Sequence, residues 1–67
     1  MQVIVNGDQH ELESNTNLQQ LLDKLTLGKK GRIAIEINGE IVPRSLFQEQ
    51  ILRSGDSVEI VQAIGGG

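Results

Sequence analysis

Apolar residues recur along this chain in two rhythms, one of period two and one of period near three and a half, and these divide it into strands and a helix. Val3, Ile4 and Val5 are adjacent and β-branched, so Gln2 to Val5 reads as a strand. Asn6-Gly7 follows, and both residues tolerate the positive φ that a type I′ hairpin turn requires. The chain is expected to return from His10 to Glu13 as a short antiparallel strand with Leu12 pointing inward. Thr16 and Gln19 match the Ser/Thr-x-x-Glu/Gln capping box at the start of a helix. From there Leu18, Leu21, Leu22 and Leu25 form one apolar stripe, with Gln19, Gln20, Asp23 and Lys24 on the wet side. Gly28 is the expected C-cap, and Lys29, Lys30 and Gly31 complete the loop.

Period two then resumes. Arg32 to Asn38 alternates, with Ile33, Ile35 and Ile37 on one face and Ala34 and Glu36 on the other. A second Asn-Gly turn, Asn38-Gly39, leads to a short strand from Glu40 to Val42, which stops at Pro43 because proline has no N–H to give to a ladder. Ser45 to Gln50 is expected to form one helical turn with Leu46 and Phe47 as its apolar contacts. Ser54-Gly55-Asp56 reads as a turn, and Ser57 to Ile64 as a last strand with Val58 and Ile60 inward and Glu59 outward. Alternation on most strands, together with one amphipathic helix, implies a mixed sheet covered on one face only. The expected architecture is α+β, a roll of the β-grasp kind, with residues 1–64 as its domain and residues 65–67 as a flexible glycine tail.

Composition narrows the function. With 67 residues there is room for one small core and none for a deep enzyme cleft. Zero cysteines exclude a disulfide framework, a thiolate metal site and a cysteine nucleophile. Small secreted domains generally need disulfides, and Met1 leads straight into the apolar alternation without a basic leader, so a cytoplasmic location is expected. No apolar run approaches the ~20 residues of a membrane helix. Nine acidic residues against six basic ones give a net charge of −3, the wrong sign for phosphate-backbone binding, so no nucleic-acid partner is expected. The lone basic cluster of Lys29, Lys30 and Arg32 reads as a solvated loop.

Conventional catalysis has little to work with. His10 is the only histidine and is expected as an exposed strand residue, with no oriented partner for general-base work. Asp8, His10 and Glu11 are neighbours in a hairpin and seldom converge on one ion from such positions. Ser14, Ser45, Ser54 and Ser57 suit turns and caps. Gly65-Gly66-Gly67 is no phosphate loop, because no helix follows it. What the three glycines offer is thinness: a chain without Cβ atoms can thread a narrow cleft, and three extended residues reach roughly 10 Å. A terminal carboxylate delivered that way becomes an electrophile once its oxygen is made a good leaving group. By composition alone the glycines equally fit a frayed end or a cloning remnant.

Larger patterns point further. Asn6, the helical stretch Leu18–Leu25, Ile37-Asn38-Gly39-Glu40-Ile41-Val42-Pro43-Arg44 followed by Phe47, Gly55-Asp56, and the end Gln62-Ala63-Ile64-Gly65-Gly66-Gly67 together resemble the sulfur carrier family of thiamine biosynthesis, small ubiquitin-like β-grasp proteins. That resemblance implies a protein cosubstrate, not an enzyme. An E1-like adenylyltransferase would use ATP and Mg²⁺ to convert the Gly67 carboxylate into an acyl-adenylate, the carrier itself binding no cofactor. A persulfide donor would then supply sulfur, leaving a Gly67 thiocarboxylate for thiazole synthase. Gly66 and Gly67 match the family's terminal pair, and Gly65, where the family accepts various small residues, would thread with Gly66 into the partner's active site.

The residues add a surface beside this tail. With Val3, Val5, Ile35, Ile37, Val58 and Ile60 facing the helix, Ile4, Ala34, Val61 and Ala63 face outward as a candidate docking patch. Arg44 is counted with it, either to pair with an acidic partner or to bridge a carboxylate of its own chain, and Phe47 is assigned to the core. Two competing readings remain. One is the small subunit of molybdopterin synthase, which carries sulfur in the same way but is usually longer. The other is a non-carrier β-grasp binding module, for which a basic face would be expected and a free Gly-Gly end would not.

Overall fold

The computed structural model describes residues 1–25 and 32–62. Gly28, Lys29, Lys30 and Gly31, the expected C-cap and loop, lie outside them, as do Ala63, Ile64, Gly65, Gly66 and Gly67. Among the described residues seven elements run in order: β1 (Gln2–Val5), β2 (Asp8–Glu11), α1 (Leu18–Lys24), β3 (Ile33–Ile37), β4 (Glu40–Val42), a 3₁₀ turn (Arg44–Leu46) and β5 (Ser57–Gln62). The strands form one sheet in the order β2-β1-β5-β3-β4. β1 and β5 run parallel at its centre and every other pairing is antiparallel. This is the mixed sheet with one main helix that the alternation predicts, a β-grasp roll.

Both Asn-Gly turns are of the expected kind. Asn6 and Gly7 sit at φ 49° and 88°, Asn38 and Gly39 at 52° and 86°, positive at both central positions as a type I′ turn demands. A two-residue turn fixes register, so Val5 pairs with Asp8 and Ile37 with Glu40. This corrects the second strand, expected over His10 to Glu13 and found over Asp8–Glu11. Asp8 and Gln9 are too polar to suggest a strand, yet on a sheet edge the ladder recruits them regardless. Leu12 lies just past the strand and is buried as expected. His10 is half-buried rather than exposed, because it pairs with Val3 on the helix side of the sheet.

The helix starts one residue later than the Thr16 capping box implies. Thr16 is already engaged, its hydroxyl donating to Glu13 C=O at 2.6 Å. Asn17 is the cap: its Oδ1 accepts from Gln20 N–H at 2.8 Å, and Gln20 Oε1 accepts from Asn17 N–H at 2.9 Å. The remaining first-turn donors find carbonyls in the segment after the 3₁₀ turn, Leu18 N–H on Gln50 and Gln19 N–H on Phe47. Seven residues are too few for an isolated helix to persist in water; Leu18, Leu21 and Leu22, all fully buried, hold it on the sheet. The described helix closes at Leu25 as C-cap, short of Gly28.

The core is the expected one. Val3, Val5, Ile35, Ile37, Val58 and Ile60 face α1, joined by Leu12, Val42, Phe47 and Leu52. Phe47 fills this core as expected, but Leu46 is 42% exposed. The helical turn placed over Ser45 to Gln50 is a 3₁₀ turn over Arg44–Leu46, so its phase rotates Leu46 outward. The strand predicted to Ile64 is described to Gln62.

Candidate functional site: the uncovered sheet face and the strand that leads to the glycines

β5 is the last described strand, and the chain runs from it through residues 63–67 to the three glycines. It lies between β1 and β3, so the segment that continues it is rooted in the middle of the sheet and not on an edge. Gly65, Gly66 and Gly67, together with Ala63 of the expected docking patch, lie outside the described residues.

The face opposite α1 has no layer over it among the described residues. Ala34 and Val61 are direct cross-strand partners, both exposed, and Val61 is 65% accessible. Ile4 shares the face but pairs with Ser57 at the other end of β5, roughly 13 Å along the strand from Val61 at ~3.3 Å per residue. It is half-buried and does not join the Ala34–Val61 pair. The structure puts Ile41 nearer: it stands opposite Glu36, one row from that pair, and is 73% exposed. Sequence reasoning missed Ile41, although counting on from the Asn38-Gly39 turn gives its register directly. Arg44 is exposed in the 3₁₀ turn beyond β4 and, among the described residues, makes no salt bridge.

Charge gives this face a sign. Glu36 and Glu59 face one another directly across β3 and β5, an arrangement of like charges that weakens a sheet when isolated. The row Glu59–Glu36–Ile41 therefore borders the apolar Ala34–Val61 row with two carboxylates. A surface of this make-up can dock a partner with complementary apolar and basic groups. Among the described residues no cluster of His, Asp and Glu could hold a metal, and His10 lines neither the open cleft of about 680 Å³ beside Met1 nor that of about 320 Å³ beside Ile41. Asp8 and His10 lie on the helix side of β2, opposite Val5 and Val3, whereas Glu11 points to the other face, so the three do not converge. Glu11 instead meets the N-terminal ammonium, which donates to its Oε2 at 2.9 Å and by that bond and its charge holds the carboxyl below the usual glutamate range.

Comparison with known proteins extends this description to the whole chain. The model of the ThiS family matches residues 3–67. The sulfur carrier protein ThiS of Escherichia coli is 31% identical over 67 residues, all of both chains. A thiazole synthase of Paramagnetospirillum magneticum is 34% identical over 67 residues, which span all of this chain but only 20% of that protein's length. The crystal structure of the thiamine biosynthesis protein (ThiS) from Geobacter metallireducens superposes over all of both chains with a TM-score of 0.83 and 30% identity.

Proposed function

This chain belongs to the ThiS family, and we propose that the sulfur it carries in thiamine biosynthesis is held as a thiocarboxylate on Gly67. The observation that carries this reading is the family likeness over residues 3–67, which reaches all three glycines. An E1-like adenylyltransferase, using ATP and Mg²⁺, transfers AMP to the Gly67 carboxylate with release of pyrophosphate. The terminal sulfur of a persulfide donor attacks the acyl carbon and AMP departs. A thiol then cleaves the resulting acyl disulfide, taking up the donor's sulfur as a new disulfide and leaving the thiocarboxylate on the carrier. Gly65 and Gly66 admit the tail to the partner's active site because neither has a side chain to clash with its walls.

Thiazole synthase is then the sulfur acceptor. Support comes from the thiazole synthase of Paramagnetospirillum magneticum, about a fifth of which resembles this chain. Ala34, Val61, Ile41 and the adjoining carboxylates of Glu36 and Glu59 form the docking surface on and beside the strand that leads to the tail, and Ala63, Ile4 and Arg44 contribute to the same docking. The carrier functions in the cytoplasm, where persulfide donors and ATP are both at hand.

Deleting Gly66 and Gly67 tests the proposal. The shortened chain is expected to keep its circular dichroism spectrum and melting temperature, because glycine has no side chain to add to a core that runs from Val3 to Ile60 among the described residues, and to lose thiazole formation entirely in a reconstituted reaction. Retention of sulfur transfer by the folded deletion variant would contradict it.

A further inference from the structure

β5 is held on its β1 side by a side chain where the backbone runs out. The parallel ladder begins regularly, with Ile4 N–H donating to Asp56 C=O and Asn6 N–H to Val58 C=O, each at 2.9 Å. Its next rung would run from Ile60 N–H to Asn6 C=O. The left-handed φ of 49° at Asn6 turns the chain toward β2 at this point, and the carboxamide takes the place of the missing strand. Ile60 N–H donates to Asn6 Oδ1 at 2.7 Å, and Asn6 Nδ2 donates to Ile60 C=O at 3.3 Å. One side chain thus offers the donor and acceptor of a peptide unit to a residue that is only 8% exposed. Without it, both polar groups of Ile60 on this side would lose these partners in a part-buried setting. Asparagine suits the position because it combines an amide donor and acceptor with tolerance of positive φ.

The second Asn-Gly turn carries a matching latch at the start of the same strand. Asn38, at φ 52°, accepts from Ser57 N–H through Oδ1 at 3.0 Å, and its own N–H donates to Ser57 C=O at 2.8 Å. Nδ2 of Asn38 reaches Asp56 Oδ1 at 3.0 Å. The two latches grip β5 at its first residue, Ser57, and farther along at Ile60. Ser57 opens the strand, whereas Ile60 is succeeded by Val61, Gln62 and the residues that lead to Gly67.

We infer that Asn6 is a positioning residue for the loading of Gly67: it fixes the strand at Ile60 and so sets the root from which the tail reaches a partner's active site. This role rests on the carrier reading. β3 pairs with β5 as far as Gln62, so loss of the latch frees one side of β5 beyond Val58 without unfolding the sheet. The docked tail must then be ordered from a looser root, and ordering one additional residue costs about tenfold in the population of productive complexes. The docking surface is untouched, so the loss falls on the saturated rate and not on the half-saturating concentration.

Two substitutions separate positioning from stability, because glycine accepts both left-handed positions. Asn6→Gly removes the tail-side latch and Asn38→Gly the far one, and both are expected to lower the urea midpoint. In the Asn6→Gly chain the Ile60 amide should exchange with solvent about tenfold faster once corrected for global stability. With the adenylyltransferase and ATP, pyrophosphate release at saturating Asn6→Gly carrier should fall about tenfold, its half-saturating concentration staying within about twofold of wild type. Asn38→Gly should keep the wild-type saturated rate. Equal rate losses in the two variants, or an unchanged Ile60 exchange rate in Asn6→Gly, would overturn the inference. A wild-type chain that releases no pyrophosphate would instead overturn the carrier reading, and this inference with it.

Discussion

Met1 and Glu11 show how a single ion pair behaves on this surface. The ammonium sits 2.9 Å from the Glu11 carboxylate and also donates to Leu12 C=O at 2.6 Å, closing the start of β1 onto the end of β2. Glu11 is exposed, so solvent screens the pair and its contribution to folding is small. Its titration is nonetheless diagnostic. A depressed folded-state pKa means that the pair's contribution is present above the ordinary glutamate range and is lost as pH falls through the lowered value. A carbon-detected NMR titration should place the Glu11 midpoint below that range, and acetylation of the Met1 amine should move it back up. The same midpoint in both forms would show that the ammonium is not the cause. Asn6 belongs to this scale too. Its turn conformation is legible in the Asn-Gly dipeptide, but its grip on Ile60 is not, because no local pattern tells which strand will lie beside a turn.

At the scale of elements, α1 is short and depends on its first turn. Asn17 and Gln20 satisfy each other's backbone donors, and two carbonyls of the 47–50 segment take the next two. Replacing Asn17 with alanine should therefore cost about 1 kcal/mol in urea unfolding. Thr16→Ala, which removes only the hydroxyl bond to Glu13 C=O, should cost less; the reverse order would return the cap to Thr16. The leucine stripe of this helix and the two type I′ turns are legible in the sequence because their signals are local. The cap is displaced because Thr16-x-x-Gln19 and Asn17-x-x-Gln20 are overlapping, equally good boxes, and the choice between them lies with the turn at Glu13. β2 starts earlier than expected for a related reason. Polar edge residues have no alternation to reveal them, and only the two-residue turn fixes where pairing resumes. The exposure of Leu46 and Ile41 depends on phase and register, which a string of apolar residues does not contain.

Across the whole molecule, one layer of helix covers one face of a five-stranded sheet, and the strand at the heart of that sheet is the one that continues to the glycines. The fold class can be read from the sequence, since it rests on pattern and composition. The sequence does not show that Ile4 lies away from Ala34 and Val61, that Ile41 and the Glu36–Glu59 pair border them, or that asparagines latch β5 at Ser57 and at Ile60. Each of those is a consequence of strand order, which nonlocal packing decides. Together these features agree with the proposed carrier, whose central strand leads to the terminal glycines. The sharpest test of that claim is the intact mass of the protein after incubation with the adenylyltransferase, ATP, Mg²⁺, a persulfide donor and a thiol. A carrier of this kind should gain the mass of one oxygen replaced by sulfur, located on Gly67 and absent when Gly67 is deleted. A folded, unmodified wild-type chain, or the same gain in the deletion variant, would refute it.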